Sequence, residues 1–352
     1  MSTESILTDG RILLVDLAAK SRNWALTPEG LERLRREAPA GWAVVDVKAP
    51  TSSDGDGPDG GSDEAVRLIP EAEVYFGFGF TKDLLAAARA LRWLHSAAAG
   101  VGNVLGTGIA ETDVMITNSA GVHGPPIAEF VVAGVLHFLR GLDVAIAQQR
   151  RSEWSKDFFV AADSPLRELS DCKVLVVGAG GLGTETARRL SALGAHCTGI
   201  RRRPELGTPP GFAAVAGLDR IDALLPEADI LVLAAPLTAD TSELITRARL
   251  ERLPRGAIVV NVARGALLDE VAVAELLAAG RLRGAVLDVF RREPLDASSP
   301  LWRLSNALVV PHVSPVSPQR FWPRQLDLFL DNWRRYVSGA PLRNLVDKQA
   351  GY

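Results

Sequence analysis

Cysteine is scarce: the 352 residues contain two, Cys172 and Cys197. Two thiols cannot build a disulfide framework, and their spacing fits no metal-ligand pattern. Both lie beside apolar, strand-like runs, so buried free thiols are expected. Long apolar runs are also missing, none reaching the ~20 residues that span a bilayer. The first ten residues are polar and lack the basic-then-apolar layout of a signal peptide. A cytoplasmic protein with no membrane partner is expected. Charge of one sign is not in excess either. The 39 Lys and Arg face 42 Asp and Glu, and a net charge of -3 points to neither nucleic acid nor an anionic membrane. The five histidines show no metal spacing, so no metal is expected.

What is present reads as globular, with 47% hydrophobic and 23% charged residues and length enough for two domains. Residues 11–16 read as a strand, Pro28 to Ala38 as an amphipathic helix capped by Thr27, and Trp42 to Val47 as a strand. Thr51 to Ala65 is rich in Gly, Asp and Ser and reads as a surface loop without chemistry. Strands are expected at Val74 to Phe80, Leu91 to Ser96 and Val114 to Asn118, with a helix at Lys82 to Ala90. One long helix is expected from Pro125 to Gln149, opened by two prolines. A dense strand–helix alternation follows, with strands at Lys173 to Gly178, His196 to Arg201, Ile230 to Ala235, Ala257 to Val262, Gly284 to Asp288 and Ala307 to Val310. Strands that are apolar throughout and separated by helices predict a parallel sheet buried on both faces, an α/β doubly wound fold. A last helix is expected from Pro318 to Ser338.

The apolar run Val174 to Val177 leads straight into Gly178-Ala-Gly180-Gly-Leu182-Gly183 and a helix to Leu193. Gly178 permits the tight turn, Gly180 lets a pyrophosphate approach the backbone, and Gly183 lets helix and strand pack closely. The helix N-terminus then offers its N–H groups to the phosphates. An acidic residue about 20 positions on would bind the ribose 2′-hydroxyl of NAD. Arg201, Arg202 and Arg203 stand there instead. Guanidinium groups favour a 2′-phosphate, so NADP(H) is the expected cofactor, with NAD(H) as the alternative.

Three further segments each follow a strand, on the sheet edge where open α/β folds bind ligands. They carry Arg264, Glu293 and His312. Arg264 can clasp a carboxylate and polarise the neighbouring carbonyl. His312 can protonate the carbonyl oxygen as a hydride arrives at carbon, and Glu293 can fix its tautomer and favour its charged form. That set suits interconversion of a 2-oxo acid and a 2-hydroxy acid.

With these motifs in place, the chain resembles the D-isomer-specific 2-hydroxyacid dehydrogenase family over nearly its whole length. The likeness extends to Ser96 to Val101, Thr117 to Val122, Pro126 to Phe130, Ala235 to Thr241 and Asn332 to Gly339. It implies two Rossmann-like domains, the substrate domain flavodoxin-like and discontinuous. Residues 1–122 with 314–352 would bind substrate and residues 123–313 the dinucleotide. It implies backbone N–H groups of Ala99, Gly100 and Val101 on the substrate carboxylate, alongside Arg264 and His312, and Asp288 near the carboxamide of the nicotinamide. Leu182, Ala235, Pro236, Thr241, Val262 and Ala263 would complete the cofactor site, and the helix after Pro126 would build a homodimer. D stereochemistry is also an implication of the resemblance, and glyoxylate, hydroxypyruvate or a larger analogue are the substrates it suggests.

The chain departs from the pattern at Gly102, where the family usually has Asp, and at Pro315, Pro318, Phe321 and Trp322 after His312. These residues bear on the substrate's side chain; Phe321 and Trp322 suit either the pocket or packing. A formate or phosphite dehydrogenase is disfavoured because Pro311, not Gln, precedes His312. A corepressor-like nucleotide-binding protein is the reading from another class. Of the other histidines, His95 reads as structural, while His123, His137 and His196 lack an acidic partner of the kind Glu293 gives His312.

Overall fold

The computed structural model describes residues 10–20, 24–50 and 61–351. The chain divides into two compact units, one of residues 1–123 and 317–352, the other of residues 124–316. The first unit contains β1 (Arg11–Asp16), α1 (Pro28–Arg36), β2 (Trp42–Asp46), α2 (Asp63–Leu68), β3 (Val74–Gly77), α3 (Lys82–Ala87), β4 (Trp93–Ser96), α4 (Gly102–Leu105) and β5 (Met115–Thr117). The second contains α5 (Gly124–Leu139), α6 (Leu142–Arg150), α7 (Asp157–Val160), β6 (Lys173–Val177), α8 (Gly181–Ala192), β7 (His196–Ile200), β8 (Ala214–Ala216) and α9 (Ile221–Leu224). It continues with β9 (Ile230–Leu233), α10 (Arg247–Arg252), β10 (Ala257–Asn261), α11 (Glu270–Ala278), β11 (Leu282–Leu287) and β12 (Ala307–Val309). The last helix, α12 (Phe321–Ser338), belongs to the first unit.

Every strand pairing is parallel among the described residues. The first sheet has the order β2-β1-β3-β4-β5 and the second β12-β11-β10-β9-β6-β7-β8. These are the flavodoxin-like and Rossmann orders of the expected α/β class. Each sheet is covered on both faces by apolar clusters, which explains why β9 and β10 are buried at every position. Helix starts follow local chemistry: Thr27 accepts the Gly30 N–H at 3.1 Å with Pro28 at the first helical position. Cys172 and Cys197 are buried free thiols, and burial pushes the Cys197 thiol up to about 11.

Several expectations need correction. The helix expected from Pro125 to Gln149 is two helices meeting at 71°. Gly141 adopts φ 69 at the break, with Leu166, Phe158 and Phe159 against its open side. A left-handed glycine ends α5 while the apolar pattern runs on, so periodicity alone could not show the change of direction. The loop expected over residues 51–65 lies outside the described residues as far as Gly60. From Asp63 it is helix, with Ser62 accepting the Ala65 N–H. Edge strand β8 carried no strand signal, because its three residues, Ala-Val-Ala, hold one β-branched side chain. The last helix opens at Phe321, three residues after Pro318. Other element ends shift by one to three residues. Among the described residues, no single helix is long and apolar enough to cross a membrane.

Candidate active site

The order of the second sheet reverses between β6 and β9, and the glycine turn sits at the carboxyl end of β6, at that switch point. Gly178 adopts φ 107, and a Cβ there would collide with the Ala234–Ala235 peptide at the end of β9. At Gly183 a Cβ would overlap the Gly178 carbonyl oxygen. Gly180 has nothing within 4 Å of its Cβ position, so the turn is closed on the protein side and open on the other. Gly180 also begins α8 without a side-chain cap, and Leu182 stands in the first helical turn. A closed turn, an open glycine and an uncapped helix start together fit a pyrophosphate.

The same turn is tied to the arginine triplet. Ile200, the last residue of β7, accepts the Gly178 and Ala179 N–H groups at 2.8 and 3.0 Å. Arg201 follows, half-buried, and donates to the Gly207 carbonyl at 3.0 Å. Arg202 and Arg203 are exposed. Beyond β9, buried Ala235 precedes exposed Pro236, and Thr241 closes the turn by accepting the Thr238 N–H at 2.8 Å and donating to the Pro236 carbonyl at 2.6 Å. Val262 and Ala263 are buried directly after β10.

Arg264, Glu293 and His312 leave the carboxyl ends of β10, β11 and β12, three neighbours in the sheet. His312 Nδ1 lies 2.8 Å from Glu293 Oε2, and Glu293 Oε1 accepts the Phe290 N–H at 2.9 Å. His312 holds φ 51, a left-handed conformation that its N–H secures by donating to the Asp288 carbonyl at 2.9 Å. Asp288 is buried, and its carboxylate accepts the N–H groups of Val313 (2.8 Å) and Ser314 (3.1 Å) and the Ser314 hydroxyl. Asp288 thus fixes the backbone on both sides of the imidazole. Arg264 is half-buried in extended backbone, with Nη1 donating to the Ala263 carbonyl at 2.7 Å.

Three residues that the sequence reading gave no role support this edge. Asn261 is buried, accepts the Ala263 N–H at 3.1 Å and donates to the Arg264 carbonyl at 3.0 Å, which shapes the arginine loop. A Cβ on Gly265 would overlap the Phe290–Arg291 peptide, so glycine lets the arginine loop lie on the glutamate turn. Ser314 completes the Asp288 cage. A buried Asn ending an apolar strand was a usable sign, whereas nothing local marked Ser314.

In the first unit, Ala99 and Gly100 are exposed and Val101 is buried, just beyond β4. Among the described hydrogen bonds, the Ala99, Gly100 and Val101 N–H groups donate to none, while the Ala99 carbonyl accepts from Asn118 Nδ2 at 2.9 Å. Gly102 begins the short helix α4. His95 is fully buried, 2.7 Å from Thr117 Oγ1, and burial lowers it to about 3, so it is a neutral structural histidine. Phe321 and Trp322 are buried in the apolar cluster of the first unit, as packing residues. Among the described residues no three His, Cys, Asp or Glu side chains gather as a metal set.

Residues 132–314 match the family described as D-isomer specific 2-hydroxyacid dehydrogenase, NAD binding domain. The chain belongs to this family. Glyoxylate/hydroxypyruvate reductase A of Salmonella newport (strain SL254) is 32% identical over 233 residues, 65% of this chain and 70% of that protein. D-3-phosphoglycerate dehydrogenase of Archaeoglobus fulgidus is 27% identical over 81% of this chain. The chain spans about half, 53%, of that relative's length. The crystal structure of an NADPH-dependent glyoxylate/hydroxypyruvate reductase from Sinorhizobium meliloti, in complex with NADP and sulfate, aligns with a TM-score of 0.76. It is 29% identical and covers 97% of this chain and 100% of that one. The two parallel sheets and the glycine turn are therefore those of a 2-hydroxyacid dehydrogenase family member.

Proposed function

We propose that this family member reduces small 2-oxo acids to D-2-hydroxy acids with NADPH, with glyoxylate and hydroxypyruvate as the leading substrates. The observation that carries the reading is the His312–Glu293 pair, 2.8 Å apart, on the strand end next to the arginine loop. The nicotinamide, when bound, supplies the hydride. Arg264 binds the acid through its planar fork and draws charge onto the carbonyl oxygen. Because His312 Nδ1 faces a carboxylate, it keeps its proton there, and Nε2 is the atom that gives a proton to the oxygen and takes it back in the oxidative direction. Glu293 holds the imidazole in that tautomer and orientation. Within the first unit, the open N–H groups of Ala99, Gly100 and Val101 suit an anionic oxygen, and we assign them the carboxylate.

Arg201, Arg202 and Arg203 take the 2′-phosphate, so NADPH is preferred and NADH is a poorer cofactor. The cofactor bound to the Sinorhizobium meliloti relative supports this choice. We place the protein in the cytoplasm, where the buried thiols of Cys172 and Cys197 stay reduced. A second copy of the chain covers the exposed apolar side chains of Leu142, Ile146, Trp154 and Val160, which makes a homodimer.

The test follows loss of reduced-nicotinamide absorbance with NADPH and NADH against glyoxylate, hydroxypyruvate, pyruvate, phenylpyruvate and branched 2-oxo acids. Turnover with kcat/KM about 10- to 100-fold higher for NADPH is expected, the range that charge-assisted hydrogen bonds supply. Replacing Arg201, Arg202 and Arg203 together with Ser should bring the ratio close to one. No turnover of any acid by a folded protein that binds NADPH would refute the reading.

A further inference from the structure

Arg264 and Glu293 leave different strands, and the loops that carry them are tied together by a carboxylate outside the proposed chemistry. Glu270 opens α11, next to Asp269, whose side chain caps the helix by accepting the Ala272 N–H at 2.9 Å. Glu270 is half-buried and turns Oε1 to the Arg291 N–H. The preceding amide, that of Phe290, is taken by Glu293 Oε1 at 2.9 Å. Two carboxylates therefore hold two successive amides of one turn, and Gly265 lies against the peptide between them.

The tie continues through the side chain of Arg291. Its guanidinium reaches Glu243 Oε1 at 2.6 Å, and Glu243, at φ 52, donates its own N–H to the Ala266 carbonyl at 2.7 Å. From there the chain runs beside the arginine loop. The Ile245 N–H donates to the Leu267 carbonyl at 2.8 Å, and the Asp269 N–H donates to the Ile245 carbonyl at 3.0 Å. Arg291 and Glu243 side chains are 54% and 65% exposed, so solvent screens that pair and it contributes little. The half-buried acceptor on the Arg291 amide is the stronger part of the tie.

We propose that Glu270 is a positioning residue for the Glu293–His312 pair, holding the glutamate turn by the Arg291 amide so that Glu293 Oε2 meets His312 Nδ1. Its influence on turnover rests on the dehydrogenase reading; its influence on the His312 imidazole does not. The charges around it oppose one another. Burial raises the Glu270 carboxyl above its ordinary range, the amide and guanidinium of Arg291 pull it down, and the charge of Glu293 pushes it up. Asp269 and Glu243 also face Arg291, and His312 lies beyond Glu293.

The experiment reads the His312 imidazole directly, by NMR of its Nδ1 proton in the full chain, with the resonance assigned from His312→Gln. In Glu270→Ala the turn loses an amide acceptor and Glu293 is no longer held against the imidazole. The His312 Nδ1 proton should lose the downfield resonance that its hydrogen bond to Glu293 gives it. With substrate, kcat should fall about 10- to 100-fold, as for other small misplacements of a reacting group, while KM for NADPH stays unchanged. Glu270→Gln, which keeps an acceptor at the same place, should recover most of both. A purely structural Glu270 would lower the melting temperature without moving the Nδ1 resonance. A folded Glu270→Ala protein with an unchanged His312 Nδ1 resonance overturns the proposal. If Glu270→Ala does not fold, Glu270→Asp withdraws the acceptor by one methylene and is read the same way. A wild type that turns over no acid, with an Nδ1 resonance that moves as stated in Glu270→Ala, would remove the dehydrogenase reading and leave the positioning role standing. Turnover with an Nδ1 resonance that does not move in Glu270→Ala would do the reverse.

Discussion

Burial raises the Asp16 carboxyl from its ordinary value of 3.8 to about 6, with the hydrogen bond from the Tyr75 hydroxyl at 2.7 Å opposing the shift. Between those two values the folded protein keeps a proton that the unfolded chain releases. Stability therefore falls as pH rises through that window, and the penalty is complete above about 6. Asp16→Asn keeps the shape and removes the charge. At about pH 8 it should be more stable than the wild type by up to about 3 kcal/mol, and at about pH 3 the two should melt together. Thermal melts at the two pH values decide the matter, and a gap equal at both would exclude the burial explanation. His95 in the first unit and His312 in the second make the same point. Each lies at or just beyond a strand end, and only His312 has an acidic partner in its motif. Complete burial keeps His95 neutral, whereas His312 stands beside Glu293. The carboxylate partner of His312 was readable from the motif; the Asp288 cage, the buried Asn261 and the Gly265 contact needed three strands side by side.

The elements of the second unit were largely legible because periodicity reports burial. Besides β8, the exception is the segment after Pro125, where α5 and α6 share an apolar pattern but not a direction. What holds α6 in place is a contact between residues 140 apart. Arg283 on β11 binds Asp143 through two hydrogen bonds of 2.8 and 2.7 Å, with the side chains only 10% and 7% exposed. Arg283 also lies over the rings of Phe138 and Phe158, 5.6 Å from each. A buried pair adds little net stability, but removing one partner strands a charge, at about 3–5 kcal/mol. Asp143→Ala should then lower the melting temperature by roughly 10 °C. The double variant Asp143→Leu, Arg283→Met should recover most of that loss. A single variant that melts with the wild type would show that the pair is solvated in solution.

At the scale of the whole molecule, the arm formed by α6, α7 and their connection leaves Leu142, Ile146, Trp154 and Val160 exposed, with Trp154 at 93%. Such apolar surface is costly in water unless something covers it. Sedimentation should give twice the mass of one chain, and Trp154→Glu with Ile146→Glu should give a monomer that still binds NADPH; a wild-type monomer at micromolar concentration would exclude the homodimer. Sequence alone determined the α/β class, both sheets' strands apart from β8, the glycine turn and the three strand ends that bear Arg264, Glu293 and His312. It could do so because a strand buried on both faces must be apolar throughout, and because a tight turn against a neighbouring strand admits only glycine. Tertiary structure decided where α5 stops, which histidine is buried and neutral, and which buried groups hold the arginine and glutamate loops. Those outcomes depend on contacts between residues far apart in the chain, such as Glu270 with Arg291 and Asp143 with Arg283, and such contacts leave no periodic trace in either partner's own neighbourhood.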